Sequence, residues 1–159
     1  MLSLFYNTQD KKIKSNIAVC FNILAITIIL SFSFYRIWEL DQIAILQDEF
    51  GYWSTAANLS GKDWTNLIQF TPYYGYGYSV ILVPLFWIFQ DVTLLYKAAI
   101  AINALLLVFS YFISIWTAKR IFNFEGMLLN VISLVLILYP NNIFQVQIAW
   151  TETLLYFLF

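Results

Sequence analysis

Residues 17–35, IAVCFNILAITIILSFSFY, run for nineteen positions without a charged side chain. A helix rises about 1.5 Å per residue and needs roughly 20 apolar residues to cross the hydrocarbon of a bilayer, so this run is long enough to span. Lys11, Lys12 and Lys14 precede it, the basic flank expected on the cytoplasmic side, and the far end of the helix then points outward. The run is long for a signal peptide and no small-residue cleavage site follows, so it reads as an anchor.

The composition agrees with a membrane chain: 62% hydrophobic, 20% aromatic and only 11% charged residues, with a mean hydropathy of +0.75. That apolar content exceeds what one soluble core uses. The formal charge is −1 and no basic patch with interleaved aromatics occurs, which argues against nucleic acid as a partner. Cys20 is the sole cysteine and sits inside the first apolar run, so the chain builds neither a disulfide framework nor a thiolate metal cluster. Histidine is absent. Ser-His-Asp triads and the commonest zinc ligand sets are thereby excluded, and proton transfer falls to Asp, Glu, Lys or Tyr.

Two further long apolar runs occupy residues 92–118 and 124–140, with Lys119 and Arg120 between them. A shorter run, VILVPLFWIF at 80–89, decides the topology. Counted as a crossing it would place Lys119 and Arg120 outside; taken as a re-entrant or interfacial segment, as its length favours, it keeps them inside. The expected fold class is all-α, a polytopic transmembrane helix bundle with an external loop containing juxtamembrane helices. Residues 1–16 are a cytoplasmic N-terminus, 17–35 the first span and 36–91 the external loop. Residues 92–118 form the second span, 119–123 a cytoplasmic turn, 124–140 the third span, 141–152 a second external loop and 153–159 the start of a further helix. That last apolar run, TLLYFLF, stops at Phe159 and is too short to cross. It is expected of the N-terminal portion of a longer polytopic protein, the alternative being a complete small protein with a docked C-terminal segment.

On this topology Glu39, Asp41, Asp48, Glu49, Asp63, Asp91 and Glu152 all lie on the external side, while most basic residues lie inside. If residues 45–59 (ILQDEFGYWSTAANL) are helical, Leu46, Phe50, Trp53 and Ala57 share one face and Asp48, Tyr52 and Thr55 the opposite one, with Glu49 at the flank. Such a helix is expected to lie on the membrane surface with its apolar stripe among the headgroups. Its acids then serve either as a solvated polar face or as a site. The stretch TPYYGYGYS at 71–79 offers tyrosine rings and hydroxyls, Tyr74 and Tyr76 among them. They suit either a sugar or the aromatic belt of the interface.

These segments together, an N-terminal span, DEFGYWSTAANLSGKDW, YYGYGYSVILVPLFWIF, a long helix ending in Lys-Arg and a helix ending in Tyr-Pro before Thr-Glu, resemble the N-terminal part of bacterial membrane glycosyltransferases of the GT-C class. The protein O-mannosyltransferase and aminoarabinose transferase group is the most similar. The resemblance covers nearly the whole chain from Ile17 but only about the first third of a typical member. It implies a polyprenyl-phosphate sugar donor with its tail in the bilayer and an acceptor hydroxyl on a protein, lipid or glycan. Inverting transfer would then take place at the external face of the plasma membrane. It further implies Asp48 as catalytic base with Glu49 beside it to raise its basicity, Tyr52 as the following aromatic, and Lys97 near the position, commonly Arg, that holds the donor phosphate, the alternative for Lys97 being to snorkel to lipid headgroups. Glu152 corresponds to a second external acid that positions substrate, although the Arg-rich surroundings that some members carry there are missing. No cofactor is expected; spacing leaves a divalent metal between Asp48 and Glu152 open. Two other classes remain beside the enzyme: a transporter or flippase fragment using the carboxylates for a coupling ion, and a small non-enzymatic membrane subunit.

Overall fold

The computed structural model describes residues 2–40, 46–64, 75–123 and 126–158, with the side chains of residues 2–12 and 47 left aside. Among the described residues all regular structure is helical: α1 (Leu2–Ser33), a 3-10 turn (Ile37–Glu39), α2 (Gln47–Leu59), α3 (Tyr76–Ile88), α4 (Val92–Phe122), α5 (Met127–Ile137), α6 (Pro140–Val146) and α7 (Glu152–Leu158). Two stretches are long and apolar enough to cross a membrane, Ile13–Glu39 and Val92–Phe122, and α5 with α6 makes a third if the bent pair is one span.

Several boundaries differ from the sequence reading for identifiable reasons. The first helix begins at Leu2, well before residue 17, because no Gly or Pro interrupts residues 1–33 and lysines sit comfortably in a helix. Likewise α4 runs past the expected cytoplasmic turn to Phe122 and stops where Asn123 takes a left-handed conformation (φ 51°, ψ 29°), one that asparagine tolerates at a helix end. Lys119 and Arg120 fall in its last turn, where they complement the helix dipole. The third apolar run is not one helix. Tyr139, preceding a proline, is extended (φ −54°, ψ 132°), α5 ends, and Pro140 opens α6 in the first helical position at a 60° bend. Residues 141–146 are therefore helical where an external loop was expected.

The short apolar run at 80–89 is the greater part of α3, whose 13 residues correspond to about 20 Å, less than the hydrocarbon thickness. It packs on α2 and on the start of α4. This overturns the expectation that α2 lies on the membrane surface with its stripe among headgroups: Trp53, Ala56 and Ala57 are fully enclosed, in a core with Tyr78, Leu82, Phe86, Tyr96 and Ile100. The physical reason is that α3 supplies a nearly all-apolar partner surface, and burial against it removes the α2 stripe from water.

α4 is the hub, touching α1, α3, α5, α6 and α7. A second core lies deeper, built from Ala25 and Ile29 of α1, Ala104, Leu107, Tyr111 and Ile115 of α4, and Leu129, Leu134 and Ile137 of α5. Apolar helices gain little by meeting in lipid, and here polar side chains fasten them. The Asn22 Oδ1 accepts from the Tyr111 hydroxyl (2.8 Å) and from Asn130 Nδ2 (3.0 Å), joining α1, α4 and α5.

Between the two cores, Asn103 is fully buried. Its Oδ1 accepts from the Tyr78 hydroxyl (2.9 Å), and its Nδ2 faces the carbonyls of Ile148 (2.9 Å) and Val146 (3.2 Å). One amide thus connects α3, α4 and the segment after α6.

Candidate functional site

The structure sorts most of these seven acids by the work they do. Glu39 forms an ion pair with Arg36 across the 3-10 turn. Asp91 caps α4, accepting from the Leu94 amide at 2.8 Å. Asp41 lies outside the described residues, as does Tyr74. Asp48, Glu49, Asp63 and Glu152 remain.

The adjacent acids Asp48 and Glu49 both open α2, where negative charge is favoured by the helix dipole, yet they face different surroundings. Asp48 is exposed. Glu49 is fully buried, not at a solvated flank. Its Oε1 accepts from the Leu46 amide (2.9 Å), closing the first turn of α2. Its Oε2 accepts from the Tyr96 hydroxyl (2.9 Å) on α4 and from the Ala149 amide (3.0 Å). Three donors converge on a group that accepts only, the arrangement a buried carboxylate requires. The same Tyr96 hydroxyl has the Gln147 carbonyl as a second acceptor at 3.0 Å.

One turn further along α2, the Tyr52 hydroxyl and Thr151 Oγ1 share a hydrogen bond of 3.0 Å. Tyr52 itself is 8% exposed, its ring stands edge-on to Tyr78 at 5.8 Å, and its carbonyl accepts from Ser79 Oγ at 3.1 Å. Burial pushes the Tyr78 hydroxyl well above the usual tyrosine range, against the Asn103 hydrogen bond and with a further upward contribution from Glu49, so Tyr78 stays a neutral donor.

The segment 147–152 is therefore held from three sides. Gln147 Nε2 donates to the Tyr35 carbonyl at the end of the first span (2.9 Å), the Ala149 amide reaches Glu49, and Thr151 meets Tyr52. These contacts bring the Glu152 segment onto the acid-bearing helix although the chain between them is about 100 residues long. Glu152 opens α7 and is partly buried. Its Oε2 and the Trp150 Nε1 are enclosed with no hydrogen-bond partner among the described residues. An unsatisfied acceptor and an unsatisfied donor thus sit on either side of Thr151.

The remaining expected site residues are more dispersed. Tyr76 is the first residue of α3 and is 53% exposed. Lys97 projects from the second turn of α4, its Nζ 5.5 Å from the centroid of the Trp38 ring, a cation–π contact. With Phe34, Ile37, Leu94 and Ala101 it lines a largely apolar groove of about 400 Å³. Among the described residues no cluster of three or more acidic, cysteine or histidine side chains suitable for a metal occurs. Sequence reasoning missed Tyr96, Thr151, Tyr78 and Asn103. Of these only Asn103 carries a local signal, as an amide inside an apolar run.

No protein-family model, curated protein or solved structure matches the chain.

Proposed function

We propose that this chain forms the outer-face part of a membrane glycosyltransferase similar to the GT-C class, using a polyprenyl-phosphate sugar as donor. The observation that carries the reading is the junction of the Asp48-bearing helix with the Glu152 segment through Glu49–Ala149 and Tyr52–Thr151. It gathers acids from two distant stretches, and it leaves Asp48 exposed beside a buried carboxylate that accepts from the Leu46 and Ala149 amides and the Tyr96 hydroxyl.

In this reading the Asp48 carboxylate takes the proton of the acceptor hydroxyl as that oxygen attacks the anomeric carbon. The bond from that carbon to the lipid phosphate oxygen breaks, the phosphate leaves with the electron pair, and the configuration inverts. Glu49 is a positioning residue: it fixes the first turn of α2 and the loop at Ala149. Glu152, partly buried at the start of α7, is the second acid and positions substrate in this reading. Lys97, between the apolar groove and the outer end of α4, suits the donor phosphate, with the lipid tail following the exposed apolar surface of the helices. The whole site lies on the external side of the plasma membrane, in a multi-pass protein with a cytoplasmic N-terminus.

The test uses membranes containing the full-length product and a panel of radiolabelled polyprenyl-phosphate sugars, mannose and aminoarabinose donors included. Transfer of label to an endogenous protein, lipid or glycan, with the new glycosidic bond inverted relative to the donor by NMR, is expected. No transfer from any of the donors, or a retained configuration, overturns the proposal.

A further inference from the structure

We propose that the cavity between the middle of α1, the last turn of α4 and the start of α5 binds an anionic phospholipid, whose phosphate lies between Lys14 and Lys119 and whose acyl chain runs along Ile17, Ala18 and Met127. The cavity has a volume of about 600 Å³ and these five residues line it, a size suited to part of a lipid and too large for an isolated ion. Its two lysines come from helices more than 100 residues apart in sequence, Lys14 a turn before the apolar stretch of α1 and Lys119 in the last turn of α4. Both are exposed at its rim, and neither makes an ion pair among the described residues.

The floor is closed to a phosphate. Asn130 is buried there, with its Nδ2 donating to Asn22 Oδ1 at 3.0 Å, so the lysine ammonium groups are the cationic donors and the rest of the wall is chiefly apolar. Gly126 also lines the cavity and adopts φ 102°, a conformation a larger residue resists. Charge favours the same occupant. Lys14 and Lys119 line the cavity, Arg120 follows Lys119 in the last turn of α4, and among the described residues no acid lines it. Basic residues at the junction of helices with apolar walls below them recognise an anionic headgroup and accept its tail at once. A soluble phosphate would gain nothing from the apolar wall. The groove at Lys97 differs in offering one cation that is already stacked on Trp38. The inner site is independent of the activity proposed above.

The experiment is native mass spectrometry of the full-length protein in detergent with equimolar dioleoyl phosphatidylglycerol and dioleoyl phosphatidylcholine. Preferential retention of phosphatidylglycerol is expected. The Lys14→Gln/Lys119→Gln double variant should reduce that preference by about tenfold. Ala18→Phe, which keeps both lysines but fills the apolar wall, should lower the number of bound lipids. Equal retention of the two lipids by the wild type overturns the proposal, as does an undiminished preference in the double variant. Full retention by Ala18→Phe also overturns it, since diffuse surface charge would then suffice without a groove.

Discussion

Asp48 and Glu49 are chemically alike and adjacent, yet substituting each by its amide should cost very different amounts of stability. In Glu49→Gln the side chain keeps its size but presents an NH2 where a second acceptor was. The best orientation leaves the amide oxygen facing Tyr96 and Ala149 and turns the NH2 toward the Leu46 amide, donor against donor. One charge-assisted hydrogen bond is lost outright, worth about 1.5–3 kcal/mol, and the two others weaken to neutral strength. The expected loss is about 3 kcal/mol, on the order of 8 °C in Tm for a domain of this size. Glu49→Ala should cost more, because all three donors lose their acceptor in an enclosed site. Asp48→Asn removes an exposed charge from the first turn of α2, where its interaction with the helix dipole is worth at most about 1 kcal/mol. The assay is thermal unfolding of the purified variants in one detergent, followed by far-UV circular dichroism. A Glu49→Gln protein that melts together with Asp48→Asn would refute the assignment of Glu49 as the buried tether.

Three further substitutions probe the layers around it. Asn103→Leu strands the Tyr78 hydroxyl and two carbonyls and should destabilise the protein by about 2 kcal/mol in the same melting assay. Tyr111→Phe deletes a single interhelical hydrogen bond and should cost only about 0.6 kcal/mol, the usual size of such bonds inside membranes. Trp53→Ala empties the centre of the outer core and should cost about 3–5 kcal/mol, seen as loss of folded protein on extraction from membranes.

The helices were legible where physical signals are local. Run length marks the two long candidate spans, and it leaves α3 short of the length a crossing needs. The identity of Pro140 marked where the third run breaks, although the resumption of helix after it depends on how residues 140–146 pack beside α4. The helical period of residues 45–59 placed Trp53 and Ala57 on one face and Asp48 on the other. It did not reveal that α3 covers the apolar face, nor that Glu49 turns inward. The reason is separation: its partners Tyr96 and Ala149 lie 47 and 100 residues further along the chain, and no local pattern records which hydroxyl or amide a flank residue will meet. Tyr52 was chosen for its ring, whereas the structure engages its hydroxyl with Thr151. The bond between Asn22, Tyr111 and Asn130 had a faint mark in the sequence, as polar residues inside apolar runs, but their mutual contact again required the fold.

The central claim, that Asp48 is the base of an external sugar transferase, meets its most direct test in one rate. Membranes holding equal amounts of full-length wild type and Asp48→Asn, matched by immunoblot and by melting temperature, would be compared for transfer of labelled sugar from the preferred polyprenyl-phosphate donor. The account predicts a turnover lowered by about 10²–10⁴-fold at unchanged abundance and stability, the usual cost of losing a general base. Equal turnover by the two proteins would contradict it.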